Sequence, residues 1–328
     1  LNPDSCLPSV RKGGHRDKQT AQRVDFTMPA RKFIDIGANL TDLMFSGIYN
    51  GSQKHTGDLR EVLLRAYNAG LEKIIVTCGC LKDLEVAKLL CASDDRLFFT
   101  VGIHPTRCQE FAKDSKACYD KLKSCLEDNP AKVVAVGECG LDYDREHFCP
   151  RDVQRTYFER QLRLAHATDL PLFMHCRSAH ADLLDILRRH ISEFGPVTGV
   201  VHTFDGTADQ ASDLINLGLY LGFNGCSLKL PENLKVVSEV PAERILLETD
   251  APWCDIRPTH AGYQYVKTKF ERKKPNRWDS HCMVAGRNEP ANIVQVLEIV
   301  ASVRGLSEDE LAETVYQNTL IAFPRLVQ

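Results

Sequence analysis

Residues able to do acid–base or metal chemistry recur at one kind of place in this sequence, the end of a short apolar run. In chain order those ends carry Asp35 and Asn39, Cys78, His104, Glu138, His175, His202, Asn224 and Asp250. A single polar residue at such a position ordinarily meets solvent or caps the next helix. A succession of His, Glu and Asp is harder to dismiss. Glu138, His175 and His202, aimed at one point with Asp250 facing them, would make a metal site of mixed nitrogen and oxygen donors. A carboxylate with two oxygens can bridge two ions, and two ions a few ångströms apart suit in-line attack on a phosphate ester.

Such convergence needs a scaffold, and the chain between these residues describes one. The apolar runs are "KFIDIGANL", "KIIVTCG", "LFFTVGIHP", "KVVAVGECG", "PLFMHCR", "GVVHTF", "LYLGFNG" and "RILLETDAP". Each is rich in Val, Ile, Leu or Phe without strict alternation, as expected of strands covered on both faces in a parallel sheet. Segments of helical period separate them. Residues 58–70 place Leu59, Val62, Leu63 and Ala66 on one face and stop at Gly70; residues 153–170 and 180–195 behave alike. Strand–helix alternation repeated eight times is the pattern of an α/β chain closed into a single (β/α)8 TIM-type barrel. A doubly wound open sheet is the competitor, but no G-x-G-x-x-G follows the first strand. In a barrel the reactive groups gather at the C-terminal ends of the strands, where the polar residues above fall.

Composition narrows the function class. With 43% hydrophobic residues, 26% charged residues and a net charge of −3, the 328-residue chain is globular rather than coated with cations. No apolar stretch is long enough to cross a bilayer. Thirteen cysteines are scattered without any C-x-x-C pair, which fits reduced thiols in a cytosolic or nuclear protein. Residues 1–27 are polar, lack an apolar period and precede Met28, and are expected to be a disordered leader or a remnant outside the fold. Residues 28–328 are expected to form one (β/α)8 domain.

Seven motifs, "GIHPTR" (102–107), "VGECGLDYD" (136–144), "FMHCRSAH" (173–180), "VHTFDGT" (201–207), "YLGFNG" (220–225), "LLETDAPW" (246–253) and "RNEP" (287–290), resemble in type and order those of the TatD family of metal-dependent deoxyribonucleases. The resemblance covers residues 32–325. It implies hydrolysis of DNA, with 3′→5′ exonuclease polarity, and two divalent ions, Mg²⁺ first, with Mn²⁺ or Zn²⁺ suited by the imidazoles. It implies that Glu138 bridges the ions, that His175 and His202 complete the shell of one, and that Asp250 binds the other and orients or deprotonates the attacking water. His104 would sit by the phosphate or leaving group. Arg177, two residues beyond His175 at the same rim, is expected either to neutralise a phosphate or simply to be solvated at the surface. One departure stands out. Many members of the family carry H-x-H on the first strand; here those positions are Gly37 and Asn39. The ion near Asp250 is therefore expected to be the weaker, recruited with substrate, with Asp35 and Asn39 as weak first-strand ligands or supports.

Asp142 and Asp205 follow ligand-bearing strands and are expected either to orient an imidazole or to cap a helix. His55 reads as a loop residue, His166 and His190 as outer-ring residues, and His180 as either support or cap. Alternation turns Cys139 and Cys176 away from the ligands beside them. After the last strand, residues 264–281 carry Lys267, Lys269, Arg272, Lys273, Lys274 and Arg277 interleaved with Tyr265, Phe270 and Trp278. Cations that follow phosphates and rings that stack on bases form a lip suited to single-stranded DNA or frayed ends, with RNA as a further substrate; the alternative is a solvated long loop whose aromatics are pinned to the barrel. The same "ERKKPNR" run also reads as a short basic signal, tilting the expected compartment from cytoplasm to nucleus. No membrane association and no obligate protein partner is expected. The rival readings are a metal-dependent amidohydrolase or phosphotriesterase acting on a small molecule, and a nucleic-acid-binding scaffold with a degenerate metal site.

Overall fold

The computed structural model describes residues 31–327; the expectation for residues 1–27 lies outside them. Eight parallel strands form one sheet in chain order: β1 (Phe33–Ala38), β2 (Leu71–Val76), β3 (Leu97–Val101), β4 (Val133–Asp142), β5 (Leu172–Arg177), β6 (Gly199–Val201), β7 (Tyr220–Phe223) and β8 (Ile245–Leu247). Helices α1 (Leu59–Asn68), α2 (Leu81–Ser93), α3 (Cys108–Lys113), α4 (Ser115–Asp128), α5 (Arg151–Thr168), α6 (His180–Phe194), α7 (Ala208–Asn216) and α8 (Pro231–Glu239) fill the connections. Two more, α9 (Ile293–Arg304) and α10 (Glu308–Ala322), follow the last strand. The expected TIM-type barrel is what the chain forms. No helix among the described residues is long and apolar enough to cross a membrane.

Alternation along the strands sorts the core into two compartments. Ile34, Ile36, Ile75, Phe98, Val134, Phe173, Val200 and Leu246 fill the barrel interior, joined by Phe323 and Leu326 from beyond α10. A larger cluster lies between strands and helices. The inward parity continues past the apolar layer, so His175 follows Phe173, His202 follows Val200, and Glu248 and Asp250 follow Leu246.

The barrel has one seam. The ladder of strand pairs runs from β1 to β8 and is not continued by a ladder between those two. Side chains and loop backbone join them instead. Thr249 donates its N–H to Asp35 Oδ1 (3.0 Å) and its hydroxyl to Asp35 Oδ2 (2.5 Å). Asp250 N–H donates to the Gly37 carbonyl (2.8 Å) and Asn39 N–H to the Ala251 carbonyl (2.6 Å). Asp35 is fully buried, lying between the inward-facing Ile34 and Ile36 on the opposite parity. The expectation of Asp35 as a weak ligand is corrected: its carboxyl fastens the seam.

Residues 272–289 are bolted to the start of α1 by a buried ionic cluster. The Arg287 guanidinium, with no exposed surface, donates to both oxygens of Asp58 (2.6 and 2.8 Å) and to Glu289 (2.9 Å). Glu289 also accepts from Arg65 (2.8 Å).

Burial pushes the Asp35 carboxyl up to about 8, against the lowering effect of the bonds from Thr249 and Gly37. An acid raised in the folded state binds more protons there than in the unfolded chain, so this group removes stability as pH rises from about 4 to about 8. In Asp35→Asn that contribution to the slope is expected to disappear. Urea unfolding at pH 5 and pH 8 should show the variant losing less stability between the two than the wild type.

Candidate metal centre and its cleft

Glu138 sits where β4 changes register against β5, between the paired residues Gly137 and Cys139. Gly137 and Gly140, both at positive φ, pass so close to β5 that a Cβ on either would collide with the carbonyl oxygen of Phe173 or His175. Only glycine lets the two strands approach while one carboxylate turns inward between them.

That carboxylate is where three imidazoles meet. Glu138 Oε1 lies 2.8 Å from His202 Nε2, 3.0 Å from His175 Nδ1 and 3.3 Å from His104 Nε2. Glu138, His175 and His202 each offer a ligand atom within 4.8 Å of the others, and His104, Asp142 and His175 form a second such group. Each histidine is held at its far nitrogen. His175 Nε2 is 3.3 Å from Asp142 Oδ2, His202 Nδ1 is 3.4 Å from Glu248 Oε2, and His104 Nδ1 is 2.7 Å from the Thr106 hydroxyl. Imidazoles backed by carboxylates are oriented as metal ligands usually are. His175 Nε2, both Asp142 oxygens and Glu248 Oε2 are buried without a conventional hydrogen bond. The donor set fits a divalent ion.

The electrostatics follow from burial against these neighbours. Burial alone would raise the Glu138 carboxyl, but His104 and His202 outweigh it and hold the group well below the usual carboxylate range. Burial would lower His202, yet Glu138 and Glu248 hold it well above its ordinary value. His175 is raised, against burial, by Asp142 and Glu138. For His104 burial wins over Glu138 and the shift is downward. Burial raises Asp250 to about 6, with His202 opposing.

Asp250 faces the centre from the other side of the cleft, at positive φ. Asn39 Nδ2 donates to its Oδ1 (2.8 Å), which makes Asn39 a clamp on Asp250. The glycine of G-x-N also has a physical reason. A Cβ on Gly37 would lie 2.9 Å from Glu248 Oε2 and 3.0 Å from Phe173 Cζ. The space a first-strand histidine would need is taken by Glu248, which also accepts from Thr203 N–H (2.5 Å) and Asn224 Nδ2 (3.0 Å). Sequence reasoning passed over Glu248, although its parity with Asp250 was a usable signal.

His104, Glu138, His175 and His202, with Asn39 and Asp250, line a cleft of about 500 Å³. Arg177 stands in its wall as expected, joined by Arg107, Arg145 and the half-exposed Trp253 at the mouth, none of which was singled out from the sequence. Asp205 is exposed, lines a neighbouring cavity beside α6 and α7 with His180, and touches no imidazole of the centre, which corrects its expected role; Thr207 caps α7. His180 pairs with Asp213 (3.3 Å). His55 is buried and stacks on Trp278.

The basic segment is not the free lip its composition suggests. Lys267 is paired with Glu308, Arg272 with Asp255 through two bonds, and Lys273 with Asp279. Trp278 lies flat on His55, centroids 5.6 Å apart, and donates to Asp58. Lys269 and Lys274 are exposed, but no residue of 264–281 lines the cleft. Arg272–Lys273 also pairs as a short strand with Met283–Val284, so "ERKKPNR" is folded into the domain.

The sequence profile described as "TatD related DNase" matches residues 34–324. The chain belongs to the TatD family. It is 45% identical over 296 residues to the deoxyribonuclease Tat-D of Schizosaccharomyces pombe, covering 88% of this chain and 95% of that one. A 3′-5′ ssDNA/RNA exonuclease TatD of Edwardsiella piscicida is 37% identical over 249 residues, covering 74% and 86%. The crystal structure of a TatD family hydrolase from Entamoeba histolytica superposes with a TM-score of 0.85 at 37% identity, over 90% of this chain and 98% of that one.

Glu138 and Glu248 hold His202 well above its ordinary value, whereas a metal ligand must be neutral, so ion uptake is expected to expel protons. Titration calorimetry with Mn²⁺ in buffers of different ionisation enthalpy should show net proton release and an affinity that falls as pH falls. In Glu248→Gln one of the two carboxylates that hold the charge on His202 is gone. Fewer protons should leave, and the pH dependence of affinity should flatten.

Proposed function

We propose that this TatD-family chain is a metal-dependent deoxyribonuclease that shortens DNA from a 3′ end, preferring single strands or frayed termini. The observation that carries the reading is Glu138 Oε1 within 3.3 Å of three imidazoles, at a cleft flanked by three arginines and a tryptophan. Glu138, His175 and His202 would hold one ion and Asp250 the other, Mg²⁺ before Mn²⁺. Divalent ions supply positive charge to the phosphate oxygens and make water acidic enough to attack near neutral pH. The relatives named as deoxyribonucleases and as a single-strand exonuclease support the substrate class.

The chain's own residues do the rest. Asp250, held by Asn39, takes the proton of the attacking water. His104 stands beside Glu138 with its ring fixed through Thr106 and serves the departing oxygen. Arg107, Arg145 and Arg177 offset phosphate charge and align the strand. Trp253 presents a ring at the mouth on which a terminal base stacks. A cleft of about 500 Å³ receives one strand end far more readily than a stiff duplex.

Protein stripped of metal is tested on end-labelled single-stranded DNA without metal, with Mg²⁺ and with Mn²⁺, beside Glu138→Ala. Stepwise shortening is expected only with metal, and the variant should lose about 10²–10³-fold or more. Cleavage that survives Glu138→Ala, or intact blunt duplex cut faster than its separated strands, would overturn the reading.

Stacking of one base on an aromatic ring contributes about 1–3 kcal/mol, or about fivefold to 150-fold in binding. Trp253→Ala is therefore expected to raise KM for single-stranded DNA within that range and to change kcat far less. Trp278→Phe, at a ring already stacked on His55, should leave KM within about twofold.

A further inference from the structure

Two thiols meet in the wall of the catalytic cleft. Cys226 follows β7, Cys254 follows β8, and both line the cleft beside Asp250. Their sulfurs are 2.7 Å apart although 28 residues separate them in the chain. The backbones are pressed together as well, since a Cβ on Gly225 would collide with the carbonyl oxygen of Cys254. Both are partly exposed, whereas most of the described cysteines are buried. Cys254 donates its S–H to Asp250 Oδ2 (3.2 Å), the oxygen that Asn39 leaves free.

A shared soft metal ion does not account for this contact. Two sulfurs at about 2.3 Å from a tetrahedral zinc ion stand about 3.8 Å apart. The observed separation is on the short side of that, toward the sulfur–sulfur bond of about 2.05 Å. The pair is arranged to react with itself.

We propose that Cys226 and Cys254 form a reversible disulfide that switches the catalytic site, because closing the bond takes from Asp250 the S–H that holds its Oδ2. The inference rests on the reading of Asp250 as a catalytic carboxylate. The oxidant is a small-molecule disulfide of the glutathione class. One cysteine sulfur bonds to one sulfur of that disulfide, whose S–S bond breaks, and the departing sulfur leaves as a thiol with the proton lost by the cysteine. The second cysteine sulfur then displaces the other half in the same way. Two cysteine thiols become one disulfide, and one small disulfide becomes two thiols. A thiol reductant reverses both steps. Oxidation leaves the Asp250 carboxylate held by Asn39 alone and ties the turn after β7 to the turn after β8.

The full chain is equilibrated in glutathione buffers from fully reduced to fully oxidised. It is digested without reductant and mapped by mass spectrometry, while single-strand cleavage and Mn²⁺ affinity are measured on the same samples. A linked peptide joining Cys226 to Cys254 is expected. With it should come an at least fivefold drop in cleavage, a weakening of Mn²⁺ binding, and recovery of both with dithiothreitol. In Cys226→Ser the ratio of oxidised to reduced activity, each referred to that variant's own reduced form, should stay near one. Glutathione adducts at these cysteines without the link would overturn the proposal, as would a link that changes neither cleavage nor Mn²⁺ affinity. If no form of the protein cleaves DNA, the nuclease reading fails, and the link and the Mn²⁺ affinity still decide the switch.

Discussion

The structure around the site depends on the burial of one negative charge. A carboxylate removed from water is tolerable only when positive or polar groups replace the lost hydration, and Glu138 is buried but for a small surface at the cleft. Its compensation comes from three strands at once, through His104, His175 and His202, so the ends of β3, β5 and β6 must stand at fixed distances from β4. The glycines on either side of Glu138 follow from the same requirement, because β4 and β5 must nearly touch for the carboxylate to turn inward. Thr106 and Thr203 hydrogen-bond the far nitrogens of His104 and His202, while Asp142 and Glu248 stand close behind His175 and His202. The same carboxylates raise His175 and His202 against burial, while the imidazoles hold Glu138 well below the usual carboxylate range.

Much of this was legible in the sequence because it is a matter of period. Continuous apolar runs between helical segments specify strands covered on both faces, and eight of them specify closure. The run ends named Glu138, His175, His202, Asp250 and His104 without any structure. Asp35 was misplaced for a reason the same rule contains: it lies one residue from inward-facing Ile34 and Ile36, so its side chain points out of the barrel. Glu248 was overlooked although it is two residues from Asp250 and shares its face. What the sequence could not carry was the identity of distant partners. Nothing in the composition of 264–281 reveals that Asp255, Asp279 and Glu308 neutralise three of its cations, or that His55 covers one face of Trp278. Likewise the pairing of Cys226 with Cys254 depends on the neighbouring ends of β7 and β8, which no linear spacing announces.

The first and last strands meet where sequence separation is greatest, and there the barrel relies on side chains more than on ladder. Asp35 and Thr249 fasten the seam, and the Arg287 cluster fastens the loop segments to the start of α1. Asn39 and Asp250 belong to the same junction, so the carboxylate on the far side of the cleft is placed by barrel closure. Gly37 fits this arrangement: a larger residue there would displace Glu248, and with it the carboxylate behind His202. The G-x-N of the first strand and the glutamate of the eighth are two halves of one packing solution.

Phe323 and Leu326, which complete the interior beneath Ile34, Phe98 and Leu246, arrive at the very end of the described chain. During vectorial synthesis on the ribosome, β1 emerges first and its partners at the seam emerge only after some two hundred residues have followed. The cork for the barrel floor comes later still. A nascent chain can therefore carry every metal ligand while lacking the enclosure that positions them, and the interior is complete only once the residues after α10 have joined it.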